Sequence, residues 1–591
     1  MTIAFFKKYC RKYALILFVG ILATMSVDAV QLFIPEFLGE LVEKVSSNSN
    51  LQISDIKNIV IDVLVISLVL FFGRILWRFC ILSTSGKIEK DLRSEMFLKA
   101  ERLSQRYYHC HKVGDIMSWF ASDIEAIEEF IGWGMVMIVD AVFLTALTLY
   151  KMLKLDLLLC IISMIPLLTL IVWGNRVEKT MSDKWEERQK VFDKLYDYTH
   201  ETFAGIRVIK AFVKEKQEKK GFEKVASLNS DKNLEFAKCS IKFDIYIELI
   251  IGIMMAALMA SGSYFVYRNS IGSPFTLFSY SVDINAGKLI TFIGYVDTMI
   301  WPMIAMGQIL QMHSRFLTSY KRIKDFLDEE EEIRDKENPI ILDNVKGNIR
   351  FNHFSFVYPA SDKEVLDDIT LEIKAGELIG VVGKIGSGKT TLVNSLLRLY
   401  NVEANSIFID DTDIMDMSMK NVRDNIAYVP QDNFLFSDNI KNNIAFSNKK
   451  MKNDDIKSAA EFADVDGNIA SFKEGYETMT GERGVTLSGG QKQRISIARA
   501  YVKDAPIMIL DDSVSAVDVK TEETILNNIY EKRKGKTTII IASRVSTVSH
   551  LDKIIVLNDG KVEAFDTPSN LLMTSPTYKK MVYLQKLESE L

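Results

Sequence analysis

The chain reads as two unlike domains in series. An all-α transmembrane domain of six helices spans residues 1–320, a charged linker covers 321–347, and an α/β P-loop domain occupies 348–591. Three observations predict this multidomain architecture. The long apolar runs are confined to the front of the chain, the back alternates short apolar runs with polar helical stretches, and a glycine-rich phosphate-loop pattern follows directly on one of those runs. The length of 591 residues also exceeds the roughly 100–200 residues usual for one domain.

The candidate spans are Tyr13 to Phe33, Ile59 to Ile81, Gly132 to Met152, Leu155 to Trp173, Asp244 to Tyr267 and Leu289 to Ile309. Each is near the roughly 20 residues that cross a bilayer as a helix. Several, such as Leu155 to Trp173, are apolar around the whole helical circumference, which a helix on the surface of a soluble protein cannot be. The loop after the second span carries Lys87, Lys90, Arg93, Lys99, Arg102, Arg106 and Lys112, and the loop after the fourth is Lys-rich from Lys210 to Lys220. Both are therefore expected in the cytoplasm. The opposite loops are shorter and more acidic, with Lys151 and Lys154 a local exception in a very short outer turn.

The start, Phe5 to Lys12, sets Lys7, Lys8, Arg11 and Lys12 around Phe5, Phe6 and Tyr9, and is expected to lie as an amphipathic elbow on the inner membrane surface. No small-residue cleavage site follows the first apolar run, and the next residues include bulky Phe33, Ile34 and Phe37, which argues against a signal peptide. The linker stretch Lys321 to Lys346, with its acidic run Asp328 to Glu332, reads as a solvated helix end. Cys10, Cys80, Cys110, Cys160 and Cys239 show no CxxC spacing, so neither a disulfide frame nor a metal site is implied. His109-Cys110-His111 are adjacent and cannot all face one ion from a helix. A net charge of −5 gives no support for nucleic-acid binding.

Ionisable residues inside a span are functional candidates, because lipid burial of a charge costs several kcal/mol. Asp28, Asp140, Glu248 and Asp297 qualify, and all four are acidic. With Met135, Met137, Met254, Met255, Met299 and Met303 they would suit an adaptable cavity for hydrophobic cations. The competing reading is that the methionines pack helices and the acids pair across the pore.

In the back half, Gly383-Lys384-Ile385-Gly386-Ser387-Gly388-Lys389-Thr390 fits GxxxxGK[ST] and follows the strand Leu378 to Val382. Gly383, Gly386, Ser387 and Gly388 let backbone N–H groups turn onto phosphate, Lys389 reaches the β/γ oxygens, and Thr390 can ligate Mg²⁺. Thr391 opens the helix expected to run to Leu399 and point its positive end at the anion. Downstream, Ile507 to Asp511 is an apolar strand ending in a carboxylate that can hold Mg²⁺ or its water. Between them stands Leu487-Ser488-Gly489-Gly490-Gln491.

This LSGGQ, set between a P-loop and a Walker B strand, resembles the ABC ATPases. The resemblance implies ATP and Mg²⁺ as ligands, with Ser488, Gly489, Gly490 and Gln491 completing an ATP site on an opposing subunit. It further implies Tyr358 as the aromatic stacked on adenine, Gln431 as the Q-loop residue near metal and water, Asp518 as the D-loop acid, and Glu482 in a loop touching the transmembrane partner. Gly114 to Ser118 and Thr202 to Ile206 resemble the coupling helices of exporter-type members, and the membrane part comes first, as in a bacterial exporter half.

Two positions depart from the family. Asp512 stands where a hydrolytic Glu is usual, and Ser543, in Ile541-Ala542-Ser543-Arg544, stands at the place of the switch His. Asp512 keeps the charge but falls short by roughly one bond length, about 1.5 Å. Serine is too short to reach a γ-phosphate and carries no imidazole. Both changes fall on hydrolysis while the phosphate-binding and LSGGQ positions are intact.

The resemblance then implies a chain that binds ATP, hydrolyses it poorly, and pairs with a second half-transporter holding an intact Glu and His. The expected setting is the bacterial cell membrane, multi-pass, with a cytoplasmic nucleotide-binding domain, lipid around it and a hydrophobic or amphiphilic small molecule as cargo. A regulatory or sensor subunit that does not pump, and a homodimeric lipid or peptide exporter, are the alternatives.

Overall fold

The computed structural model describes residues 5–46, 53–277, 280–359, 361, 363–481, 484–514 and 517–590. Glu482, expected in a partner-touching loop, lies outside them. The chain divides into two compact units: Met1–Lys99 with Gly114–Asp328, and Ala100–Val113 with Glu329–Leu591.

The first unit is built from long helices. Ala14–Gln31 continues after a turn at Leu32 as Phe33–Ser46, and Ile53–Arg102, Leu157–Ala204, Glu215–Ser270 and Ala286–Asp328 follow the same long pattern. Among the described residues, Phe6–Ser46, Lys57–Arg102, Val113–Leu155, Glu215–Ser270 and Ala286–Asp328 are long and apolar enough to cross a membrane. Leu157–Ala204 holds the expected fourth span, whose described apolar portion is Leu157–Pro166; most side chains from 167 to 173 lie outside the description.

The helices run well past the apolar windows because charged pairs take over where lipid contacts end. Lys184 bonds Glu235 at 2.9 Å and Lys232 bonds Glu187 at 3.0 Å, stitching the cytoplasmic extensions of two helices. At the other end, Asp156 separates the third and fourth long helices. Its carboxylate accepts from the Leu159 N–H at 2.9 Å and from the Tyr280 hydroxyl at 3.0 Å. Strands β1 (Thr276–Leu277) and β2 (Tyr280–Ser281) pair there as a short antiparallel ribbon.

Helix Phe33–Ser46 meets Ala286–Asp328 backbone to backbone. A Cβ on Gly39 would fall 2.6 Å from the Gly287 carbonyl oxygen, and one on Gly287 only 2.4 Å from that of Gly39. Small residues at a helix crossing allow this approach, the usual mode of packing where lipid supplies no hydrophobic drive.

Three expectations need revision. The amphipathic start turns inward: Phe5 is fully buried, with ring centroids 5.3 Å from Phe316 and 4.9 Å from Tyr320. Lys8 and Lys12 pair with Glu95 at 2.6 Å and Asp91 at 2.8 Å, so the chain's own acids answer charges expected to meet lipid headgroups. Gly114 to Ser118 opens the helix Val113–Leu155 rather than forming a separate element. The separate short helix is Gln105–Cys110, ended by extended backbone at His111 (φ −121°, ψ 129°), and it belongs to the second unit, where the Ser104 hydroxyl donates to Glu332 at 3.0 Å. Met254 and Met299 are buried in the helix core with Met255 and Met303 packed against it, so these four fill space between helices.

The second unit holds two sheets. One is antiparallel, in the order β4 (Glu364–Ile373), β3 (Ile349–Val357), β6 (Ile407–Ile409), β7 (Thr412–Asp413). The other runs β12 (Lys561–Asp566), β11 (Lys553–Asn558), β5 (Leu378–Gly383), β10 (Thr537–Ile541), β9 (Ile507–Asp511), β8 (Ile426–Val429), parallel except for β12. β5, β9 and β10 are buried at every residue, the mark of a parallel sheet covered on both faces. Their side chains alternate between two cores: Val382, Leu510 and Ile540 enter one, and Val381, Ile509 and Ile539 the other.

Candidate nucleotide-binding site

The parallel register brings the carboxyl ends of four strands to one edge. Val381 of β5 stands beside Ile541 of β10, Ile541 beside Asp511 of β9, and Leu510 beside Val429 of β8. Segments far apart in sequence, namely the P-loop, Asp511 with Asp512, Ser543 and Gln431, thus leave the sheet together, where open α/β sheets bind ligands.

The P-loop closes at Gly388 (φ +94°), which caps the helix Lys389–Leu396; this helix starts earlier and ends sooner than the expected Thr391 to Leu399. A Cβ on Gly383 would sit 2.3 Å from the Leu557 carbonyl oxygen and 2.6 Å from Ser387 Oγ, so this first position must be glycine. Lys389 Nζ donates to the carbonyls of Gly383 and Lys384, both at 2.9 Å. Burial pushes its ammonium below the ordinary lysine value, while Asp512 and Asp511 pull it back up.

Asp511 is 1% exposed. Its Oδ1 accepts from Thr390 Oγ1 at 3.3 Å and its Oδ2 from the Tyr428 hydroxyl at 3.5 Å. Burial pushes this carboxyl up, against the lowering effect of the Thr390 hydrogen bond.

These residues fit a Mg²⁺-bound triphosphate. Ser387 Oγ is buried with no hydrogen-bond partner among the described residues, a donor suited to a phosphate oxygen. Thr390 and Asp511 bring a hydroxyl and a carboxylate together, the oxygen donors that a hard divalent cation takes. Lys389 is a half-buried cation whose hydrogen bonds, among the described residues, go to carbonyls, so an anion would relieve it. Gln431 is exposed two residues beyond Val429. Tyr358 is half-buried; its hydroxyl shares a 2.9 Å hydrogen bond with Thr391 Oγ1, and its ring stands edge-on to Tyr400 at 5.4 Å.

The two departures touch each other. Ser543 Oγ donates to Asp512 Oδ1 at 3.2 Å. Asp512 itself sits in the left-handed region (φ +47°), which Asp tolerates better than most residues, and its N–H donates to the Ile541 carbonyl at 2.9 Å.

Ser488, Gly489, Gly490 and Gln491 form the start of the helix Gly489–Tyr501. The Ser488 hydroxyl accepts from the Gln491 N–H at 3.3 Å and the Gln491 side chain accepts from the Ser488 N–H at 2.9 Å, a reciprocal capping box. Ser488 and Gly489 are exposed, and no described hydrogen bond joins the four residues to the P-loop. They present a helix N-terminus outward, fit for an anion brought by another molecule. Asp518 caps the helix Val519–Lys532 through the Thr521 N–H at 3.0 Å, which holds its carboxyl below the usual range.

Several contributors were not apparent from the sequence. Gln493 Nε2 donates to the Asp512 carbonyl at 3.3 Å, linking the LSGGQ helix to Walker B. Arg499 fixes the segment after Gln431 through Asn443 O at 2.8 Å and Phe434 O at 2.9 Å, and burial pushes its guanidinium down to about 10. From the last helix, Pro576–Glu590, Gln585 accepts the Val545 N–H at 2.8 Å and donates to the Ser543 carbonyl at 3.3 Å. Only Tyr428 carried a signal, as the polar-tipped residue of an otherwise apolar strand beside Walker B.

Residues 366–515 match the ABC transporter family, and residues 17–303 match the ABC transporter transmembrane region. The chain is 31% identical over 584 residues to the probable multidrug resistance ABC transporter ATP-binding/permease protein YheI of Bacillus subtilis, covering 99% of this chain and 97% of that one. It is 30% identical over 589 residues to the multidrug resistance-like ATP-binding protein MdlA of Escherichia coli, covering 99% and 96%. Its fold matches that of a bacterial Atm1-family ABC exporter with ATP bound, at TM-score 0.78, 24% identity and 98% coverage of both chains.

Proposed function

The chain belongs to the ABC exporters that carry transmembrane and ATPase regions on one polypeptide, and from that premise we propose that it is the hydrolysis-weakened half of a two-chain exporter of hydrophobic or amphiphilic compounds. It is a multi-span membrane protein with a cytoplasmic nucleotide-binding domain, and its ATPase domain makes it an ATP-hydrolysing transporter. The multidrug descriptions of the relatives support the cargo class.

The observation that carries the proposal is the 3.2 Å hydrogen bond from Ser543 to Asp512. A carboxylate that must accept a proton from attacking water is here one methylene short and already accepts from a neighbour. That neighbour replaces the imidazole which would reach phosphate. Both changes weaken the same step and leave ATP binding alone: Lys389, Ser387 and the P-loop backbone would hold the phosphates, Thr390, Asp511 and Gln431 would hold the metal, and Tyr358 would take the base. Bound Mg²⁺ supplies charge neutralisation at the phosphates. On this reading the chain's own site retains ATP as a clamp, and its outward-facing Ser488 to Gln491 cap completes the partner's competent site.

The test is ATP turnover by the purified chain alone and with its candidate partner, a half-transporter holding Glu and His at the corresponding places. A silent chain, an active pair, and loss of the pair's activity on Ser488→Arg in this chain would support the proposal. Brisk turnover by the chain alone would return a homodimer. Turnover of the pair that no amphiphilic compound stimulates would favour a regulatory subunit.

A further inference from the structure

Four buried acids of the membrane unit differ in how they are answered. Asp123 is paired with Arg322 and accepts from the Ser319 hydroxyl at 2.9 Å. Asp156 accepts from a backbone N–H and a tyrosine hydroxyl. Asp140, 9% exposed, accepts among the described residues only from Trp301 Nε1 at 2.9 Å. Asp28, 6% exposed, has an Oδ2 atom with no hydrogen-bond partner among the described residues.

Asp28 and Asp140 belong together. Helix Ala14–Gln31 packs against the Asp140–Leu144 turn, a π-helical widening of the third long helix. Asp28 lies within electrostatic reach of Asp140 and of Arg74, the charged groups that face it from the third and second long helices. Arg74 is spent elsewhere: its Nη2 donates to Gln31 Oε1 at 3.2 Å, and among the described residues it forms no ion pair with either acid. Trp301, from the last long helix, leaves part of its indole exposed while its N–H holds Asp140. Glu248 and Asp297 are exposed and take no part.

Two carboxylates and one guanidinium leave one negative charge too many in a place where an unpaired charge is costly. Two buried carboxyls on packed helices, one of them with an unpartnered oxygen, are held neutral overall by one proton between them. We propose that Asp28 and Asp140 form a site for a single positive charge within the membrane unit, filled by a shared proton at rest and by a lipophilic organic monocation, lying against Trp301, when cargo is bound. Each cation that enters displaces one proton, so total charge in the site is conserved. The aromatic face adds cation–π attraction. The substrate class rests on the export reading, but the site is defined by the chain itself and is read without nucleotide or turnover.

The experiment is titration calorimetry of the purified full chain in lipid nanodiscs with tetraphenylphosphonium, in two buffers of different ionisation enthalpy, beside the neutral triphenylphosphine oxide. The expected result is release of about one proton per cation bound, tighter binding as pH rises, and no proton release with the neutral probe. Asp28→Asn and Asp140→Asn should each abolish the proton release. Trp301→Phe, which keeps a ring but removes the N–H, should weaken cation binding by about 3- to 10-fold and guards against misfolding of the acid variants. Binding of the cation without proton release, equal binding of both probes, or wild-type linkage in either Asn variant overturns the site. No binding by the unmodified chain also overturns it. Failure of the export reading would appear in the nucleotide experiments and leave the proton count unchanged.

Discussion

Restoring glutamate and histidine together, Asp512→Glu with Ser543→His, should raise this site's turnover by about a hundredfold. The added methylene advances the carboxylate by about 1.5 Å, and a misplacement near 1 Å costs roughly a hundredfold in rate, about 2.7 kcal/mol of barrier. Asp512→Glu alone should recover less. Ser543 would still be able to donate to the longer carboxylate, as it does now at 3.2 Å, and a hydrogen bond to a charged acceptor is worth about 1.5–3 kcal/mol. We therefore expect about a tenfold gain from Asp512→Glu, little from Ser543→His, and a double variant that exceeds the product of the two by several-fold, the signature of coupled neighbours. The assay is phosphate release under saturating Mg-ATP, in complexes whose other site has been silenced by substitution. A double variant within about threefold of the parent, with ATP binding intact, would refute the argument.

Asp511→Asn should raise the melting temperature of the nucleotide-free chain at neutral pH, because burial raises the Asp511 carboxyl above its usual value and ionising it in the fold is then a penalty. That advantage should shrink as pH falls into the range where Asp511 is protonated in the fold, and the variant should lose any stabilisation by Mg-ATP; thermal scans over pH check both. Gly287→Ala should destabilise the membrane unit by about 1–3 kcal/mol through overpacking against Gly39, seen as a lower melting temperature in detergent with nucleotide binding unchanged. Ser488→Ala removes an N-cap, and about 1 kcal/mol of local stability with it. It should leave ATP binding to the chain's own P-loop unaltered in a fluorescent-nucleotide assay.

The sequence exposed whatever depended on local order. The P-loop needs neighbouring glycines, Walker B needs an unbroken apolar strand, and Ser488 with Gln491 has the spacing of a capping box, so each could be located before its surroundings were known. Helix ends were less legible. Hydropathy marks where lipid ends, but Lys184, Glu187, Lys232 and Glu235 carry the helices onward by pairing across to a neighbour. The break at His111 moved the short cytoplasmic helix ahead of Gly114 for reasons of backbone conformation that residue type does not announce. Contacts between distant segments were invisible: Gln493 with Asp512, and Ser543 with Asp512, 31 positions apart. Sequence could flag Asp512 and Ser543 separately as departures, but only the adjoining strand ends make them one feature.

The Gln585 contact separates two things usually entrusted to one residue. The amide grips main-chain atoms of Ser543 and Val545, so the position of this loop is set from the last helix and not by whichever side chain occupies 543. Placement is thereby insulated from chemistry. A lineage can exchange the side chain there, dulling or sharpening the site, without having to rebuild the loop that presents it. On the two-chain reading proposed above, asymmetry between paired ATP sites becomes, on such a scaffold, an easily reached and easily reversed evolutionary step.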